Sequence, residues 1–350
     1  MCDLNEVKGM RLNMKESELV AQSNLVNSKH VDEDMRDLFG ITFTTYKLSE
    51  NYHMIYKNDP ECTIPRKLIE LYVKYINPDY NSMIYSFKKK YISNEVLVEK
   101  NDTKEQRQGL RAVYDYIQNY DITQKTLDIF VSTLEINGLL WAPTDKKNNE
   151  EIETMKNDLT EKIELLMKQA KEEKNAKKFK EARDLKQAYD SLTHKSKIGA
   201  QLRSNNYEDE VRLLNTGISV PKASEALEFM NHYISKEKKQ EFDNTLKNAD
   251  VISYITYCVK ETTKMIYHQP FMDGNKRTFR ALLNLMFKVR GLPPVYIKTT
   301  EREEYKDALI KAMKEEDYSE IVGFYLFKIC DSIYELDVEP YRLAQKKIKR

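Results

Sequence analysis

Thirteen consecutive residues concentrate the groups that could do chemistry in this 350-residue chain: His268-Gln269-Pro270-Phe271-Met272-Asp273-Gly274-Asn275-Lys276-Arg277-Thr278-Phe279-Arg280. Pro270 forbids continuation of a helix ending near Tyr267, and Gly274 permits a backbone angle that other residues avoid. From Asn275 on, Phe279, Leu282, Leu283, Met286 and Val289 recur at helical spacing. The stretch therefore predicts a loop, Asp273 to Arg277, running into a helix N-terminus, where unpaired N–H groups and the helix dipole favour an anion. Arg277 adds a bidentate donor for phosphate oxygens, and Arg280 follows on the same helix face. Asp273 is a hard oxygen ligand, suited to a Mg2+ ion that phosphates already carry. His268 brings a side chain whose pKa suits proton transfer. Phe271 reads as a core plug that fixes the loop. Each residue alone would fit a capped helix-turn-helix; their combination predicts a phosphate and magnesium site.

The elements around this segment read as mainly helical. Nine glycines in 350 residues are too few for a turn-rich all-β fold. Helices are predicted over Arg66 to Tyr75, from about Thr103 to Gln118, and from Asp121-Ile122-Thr123 onward with Leu127, Phe130, Val131 and Leu134 buried. Further helices are predicted over Ala223–His232, Asp250–Tyr267, Asn275–Arg290, Glu301–Met313 and about Tyr318–Glu335. Asn51-Tyr52, Asn58-Asp59-Pro60 and Asn77-Pro78-Asp79 read as loops. From about 145 to 195, Lys and Glu dominate, and apolar residues fall three and four apart (Ile152, Met155, Leu159, Ile163, Leu166, then Phe179, Ala182, Leu185, Tyr189). That pattern predicts an inserted antiparallel helical hairpin. Glu210 to Pro221, two short apolar runs around Asn215-Thr216-Gly217, predicts a β-hairpin.

The net charge of +1 gives no electrostatic case for nucleic acid or a membrane surface. No run of about 18 apolar residues occurs, and the first thirty residues hold no signal-peptide core. Cys2, Cys62, Cys258 and Cys330 are too far apart in sequence for a metal knuckle and read as free thiols. The expected compartment is the cytoplasm, with export of an effector lacking a cleaved signal left open.

The thirteen residues resemble the signature of Fic proteins, H-x-F-x-(D/E)-G-N-(G/K)-R-x-x-R, with Phe271, Asp273, Gly274, Asn275, Lys276, Arg277 and Arg280 in register. The resemblance covers about Ser93–Phe327, interrupted by the hairpin. It implies a mainly α Fic-fold helical bundle with a β-hairpin flap, Glu210–Pro221, along which a target protein docks. The division it implies is a mostly helical region over 1–92, a Fic domain over 93–335 and a basic tail over 336–350. The preferred reading of 145–195 is a solvated coiled-coil insertion; Glu161 to Lys186 also resembles the UVR helical hairpin, a protein-contact element, and by that resemblance the segment would contact a protein partner.

The implied activity is transfer of AMP from ATP to a Ser, Thr or Tyr hydroxyl of a protein, the chain itself included. By that resemblance Asp273 holds Mg2+ on the phosphates, and Gly274, Asn275 and Lys276 cradle them. Arg277 stabilises charge on the leaving pyrophosphate, and Arg280 meets the γ-phosphate. In the family the histidine base stands two residues before the phenylalanine. Here Gln269 has that place and His268 is one residue early, so either a bulge brings His268 to the site or Gln269 occupies the position of the base. Lysine at 276 is shared with Doc proteins, which phosphorylate their target, but Arg280 and the flap favour AMP transfer. A silent nucleotide- or partner-binding module is the third reading. The family's Gly-x-x-Arg element is matched by Ala200-Gln201-Leu202-Arg203. Its inhibitory helix, (S/T)-x-x-x-E-(G/N), is matched by Glu95 to Lys100, with Glu99 as the inhibitory glutamate, Glu95 in the Ser/Thr place and Lys100 in that of the glycine.

Overall fold

The computed structural model describes residues 61–76, 85–122, 127–191, 198–203, 212–213 and 218–348. Outside them lie Cys2, the loop signals at Asn51–Tyr52, Asn58–Pro60 and Asn77–Asp79, Thr123, and Glu210 with the turn Asn215–Gly217. The chain order is α1 (Thr63–Ile76), α2 (Tyr85–Val98), α3 (Lys104–Asn119), α4 (Ile129–Glu173) and α5 (Ala176–Ser191). A two-stranded hairpin follows, β1 (Arg212–Leu213) and β2 (Ile218–Ser219), antiparallel with Arg212 opposite Ser219. Then come α6 (Ala223–His232), α7 (Lys236–Asn248), α8 (Val251–His268), α9 (Asn275–Val289), α10 (Arg302–Glu315), α11 (Ser319–Ile333) and α12 (Glu339–Ile348). The fold is mainly α.

The core is built on α8, α9 and α11, whose apolar positions are buried nearly all round. Ile252, Ile255, Val259 and Ile266 of α8 meet Phe279, Leu282, Leu283 and Met286 of α9 in one apolar cluster. Helix α3 is laid against α4 along Leu110, Val113, Tyr114 and Ile117, the face its spacing predicts. The two helices touch at backbone distance: a Cβ on Gly109 would stand 2.1 Å from the Leu140 carbonyl oxygen. Thr103 caps α3 by accepting the Gln106 N–H at 3.2 Å.

Four sequence expectations are corrected. Helix α4 starts at Ile129, where Asp128 accepts the Val131 N–H at 3.1 Å, rather than near Asp121. Its buried stripe is Ile129, Ser132, Thr133, Ile136, Asn137, Leu140 and Trp141, which leaves Val131 on the outer face, 47% exposed. The compositional break at Asp145 is not a helix break either, because α4 runs on through Pro143 to Glu173. The expected hairpin is therefore the distal half of this one helix packed against α5. Its turn is closed by Lys174 in the left-handed region (φ 51°) and by Asn175, which accepts the Lys177 N–H at 3.0 Å. Helix α7 escaped the sequence reading because its Lys/Glu-rich stretch buries little apolar surface beyond Phe242.

The expected boundary at 92/93 falls inside α2, and Leu68, Ile69 and Tyr72 of α1 share the core with α11. The segment expected as a basic tail is a π turn over Tyr334–Val338 followed by α12, with Leu336, Val338 and Tyr341 buried. Among the described residues no helix is long and apolar enough to cross a membrane. Cys62, Cys258 and Cys330 are buried.

Candidate functional site

The signature loop is fixed from four sides before any side chain is offered to a ligand. Helix α8 ends at Gln269, in the left-handed region at φ 45°, and its N–H closes on the Met265 carbonyl. The loop then pairs with the segment before the flap. Arg203 donates its backbone N–H to the Pro270 carbonyl at 2.8 Å, and Met272 donates to the Gln201 carbonyl at 3.0 Å. Asn275 staples the loop shut, accepting the Phe271 N–H at 2.8 Å and donating to the Phe271 carbonyl at 2.9 Å. Phe271, 1% exposed, is the expected plug, a burial that stabilises by about 1.5–3 kcal/mol. Gly274 stands at φ 79°, and a Cβ there would lie 2.7 Å from the Trp141 indole nitrogen.

Asn137, fully buried on α4, joins these pieces. Its Nδ2 donates to the Asp273 carbonyl at 3.0 Å and to Thr278 Oγ1 at 2.9 Å, while its Oδ1 accepts the Ala200 N–H at 2.8 Å. Asp145 holds the neighbouring turn by accepting the N–H groups of Ile198 and Gly199 at 2.8 and 3.0 Å. Leaving either turn's buried N–H groups without a partner would cost about 1–3 kcal/mol per group. Ala200 itself sits at φ 59°. Lys100 has φ 55°, and the α2 terminus closes through Asn101 N–H to the Val96 carbonyl at 3.0 Å. Both places where the resemblance puts glycine thus adopt the left-handed conformation that glycine takes most cheaply.

The start of α9 gathers cations where the helix dipole already favours anions. Arg277 is 5% exposed; its guanidinium lies over the Trp141 ring at 5.2 Å, and its buried Nη1 has no hydrogen-bond partner. Burial lowers its pKa from the usual arginine value. Lys276 pairs with Glu99 Oε2 at 2.7 Å. Arg280, 4% exposed, donates Nη1 to Glu99 Oε1 at 2.8 Å. Its other edge is taken by Glu95: Nε donates at 3.0 Å and Nη2 at 2.7 Å, both to Oε2. Burial pushes the Glu99 carboxyl up, but Arg280 and Lys276 outweigh it and hold the group at about 2.

Several sequence-derived roles change on this geometry. The Asn275 side chain is used up within the loop, so only its backbone N–H can face a ligand. Lys276 is committed to Glu99 rather than standing free over the loop. Asp273 is exposed, with Oδ1 accepting the Gly274 N–H at 2.5 Å. His268 is half-buried, stacked flat on Phe229 of α6, with Nδ1 2.8 Å from the Lys264 carbonyl. A carbonyl only accepts, so Nδ1 carries the proton and Nε2 keeps its lone pair. Gln269 folds back, its Nε2 donating to the Ile266 carbonyl at 2.6 Å. Arg203 Nη2 donates to the His268 and Pro221 carbonyls, both at 2.8 Å, which links the end of α8 to the end of the flap.

Sequence reasoning missed Asn137, Trp141, Asp145 and the part played by Glu95. For Glu95 a signal existed, since Glu95 and Glu99 are four apart on a helix, as are Lys276 and Arg280. The others are scattered along α4 and become neighbours of the loop only through packing.

No protein-family model matches the chain. It is 35% identical over 66 residues to the Protein adenylyltransferase Fic of Nematostella vectensis, a match covering 19% of this chain and 16% of that protein. It is 36% identical over 63 residues to the Protein adenylyltransferase Fic of Aedes aegypti, covering 18% of this chain and 13% of that protein. The matches thus span less than a fifth of these relatives' length. In fold the chain is similar to a Fic-1 fragment from C. elegans, with a TM-score of 0.50 and 13% identity over 96% of this chain and 93% of the fragment. The signature in register and the named relatives agree: over the segment they share, the chain is similar to Fic proteins.

Proposed function

We propose that the chain is a protein adenylyltransferase that moves AMP from ATP to a hydroxyl of a protein. The observation that carries this reading is Arg277: a buried guanidinium with an unpartnered Nη1, beside a helix N-terminus whose first N–H groups have no intrahelical acceptor. Buried donors without acceptors are rare in native proteins, and a phosphate would satisfy them. The backbone N–H groups of Asn275 and Lys276, with Gly274 clearing the space, would receive the phosphates. Among the described residues no cluster of three or more His, Cys, Asp or Glu side chains could hold a metal by itself. The lone exposed carboxylate of Asp273 fits Mg2+ that arrives with the phosphates, where the ion would neutralise their charge.

In this reading the target's backbone pairs with the flap and its hydroxyl is presented near His268. Arg203 ties His268 to Pro221, and Nε2 is the atom with a free lone pair, whereas Gln269 offers no base. The hydroxyl oxygen bonds to the α-phosphorus, its proton passes to Nε2, and pyrophosphate leaves against Arg277. Glu99, joined to Arg280 and Lys276, stands in the place of the family's inhibitory glutamate and shares Arg280 with Glu95.

The test is incubation with ATP labelled at the α- or γ-phosphate, on wild type and on a Glu95→Gln/Glu99→Gln double variant. Label from α retained on protein, with none from γ, is the expected result. Label from γ would mean phosphoryl transfer instead, and no label from either position would leave a silent module.

A further inference from the structure

Arg280 meets two carboxylates, and the one that holds it most completely is the one the family pattern does not supply. Glu95 is 2% exposed and spans the Nε–Nη2 edge of Arg280, the geometry of a fork closed by a carboxylate. Glu99 takes Nη1 alone, and its second oxygen goes to Lys276, which is 35% exposed. Glu95 thus lies behind Arg280 in the core and Glu99 in front of it, towards the loop. Glu95 and Glu99 stand near the C-terminus of α2, Lys276 and Arg280 near the N-terminus of α9, each at the end its own helix dipole disfavours. The two carboxylates and two cations compensate one another, and the group of four is neutral without any ligand.

This arrangement bears on which nucleotide the loop accepts. A phosphate run seated on the Asn275–Arg277 N–H groups and Arg277 reaches Arg280 one turn further along α9. A terminal phosphate arriving there would displace Glu99 and still face Glu95, a charge of its own sign that has no water to retreat into. A guanidinium already neutralised by a dry bidentate partner offers little net attraction to a second anion. Removing Glu99 alone exposes Nη1 but leaves that pair intact.

We propose that Glu95 is a specificity-determining residue: by holding Arg280 as a closed neutral pair, it makes the site take nucleoside diphosphates in preference to triphosphates, with or without Glu99. The inference rests on the reading of the Asp273–Arg277 loop as a nucleotide phosphate site.

Titration calorimetry of the full chain with Mg·ADP and Mg·ATP tests it, on wild type, Glu99→Gln, Glu95→Gln and the double variant. Wild type is expected to bind ADP at least about tenfold more tightly than ATP, and Glu99→Gln to keep that preference within about threefold. Glu95→Gln retains an acceptor for Arg280 and removes the charge; combined with Glu99→Gln it should shift the ADP-to-ATP ratio towards ATP by at least about tenfold. A purely structural role for Glu95 would weaken both nucleotides alike and leave the ratio unmoved, which would overturn the proposal. So would Glu99→Gln alone abolishing the preference, a result that does not depend on how the Glu95 variant folds. Failure of wild type and double variant to bind either nucleotide would overturn the phosphate-site reading along with the proposal; ADP binding with the wrong ratio overturns the proposal alone.

Discussion

His268 lies flat against Phe229, ring centroids 3.7 Å apart and planes 3° from parallel. The contact fixes the imidazole plane, and the Lys264 carbonyl at 2.8 Å fixes its tautomer. Burial lowers the imidazole pKa below its ordinary 6.5, a shift the Lys264 carbonyl and Glu225 oppose. A general base must be unprotonated to act, so a lowered pKa extends activity towards acid pH. Transfer of α-label by the Glu95→Gln/Glu99→Gln double variant should therefore rise with pH along a limb whose midpoint lies below 6.5. Adding His268→Ala should reduce the transfer by about 10²–10⁴-fold and remove that limb while nucleotide affinity holds. Gln269→His should not restore what His268→Ala removes, because the Gln269 side chain is turned back onto Ile266. Recovery of labelling in that variant would give the position of the base to residue 269.

Arg277 and Trp141 would supply a direct optical report on the proposed phosphate site. Trp141 is the only tryptophan in the chain, and the Arg277 guanidinium lies over its ring at 5.2 Å. Occupying Arg277 with phosphate changes the charge felt by the indole. Titration with Mg·ADP should give a saturable change in tryptophan emission. Arg277→Ala should weaken binding by at least about tenfold, the order expected for losing hydrogen bonds to a charged group. Equal affinity in the variant, measured by calorimetry, would place the phosphates elsewhere.

The positions of these groups were partly legible in the sequence, and the division follows physics. A loop closed by Pro270 and Gly274 and followed by a helix is local information, and the structure has that loop and helix. The pairing of Glu99 with Arg280 came from a resemblance rather than from spacing, because 181 residues separate the two. Asn137 and Asp145 left no trace: a polar residue in a buried helical stripe looks like an interruption until its partners fold onto it. The break at Asp145 misled for the opposite reason. Composition changes where α4 leaves the core and enters solvent, while the backbone hydrogen bonds of the helix continue past Pro143. Val131 falls on the wrong face in the sequence because the stripe that is buried carries the polar residues Ser132, Thr133 and Asn137, so the apolar spacing of Leu127, Phe130, Val131 and Leu134 is the stronger pattern.

Glu99 also makes a prediction about stability in acid. Its carboxyl is held at about 2 in the folded chain, against an ordinary 4.5, because Arg280 and Lys276 outweigh its burial. A group with a depressed folded pKa binds fewer protons folded than unfolded, so its contribution is complete above 4.5 and is lost as pH falls towards 2. The interval corresponds to a contribution of about 3 kcal/mol at neutral pH. Glu99→Gln should therefore be less stable than wild type by about 1–3 kcal/mol at pH 7, since the amide keeps part of the hydrogen bonding. That gap should narrow steadily below pH 4.5, because protonation turns the wild-type group into a neutral one like the variant's. Urea unfolding of both chains at a series of pH values measures the gap directly, and titrations common to the two chains cancel in the difference. A gap that stays constant from neutral pH down to the acid limit would mean that Glu99 is not held as a charged partner of Arg280 and Lys276.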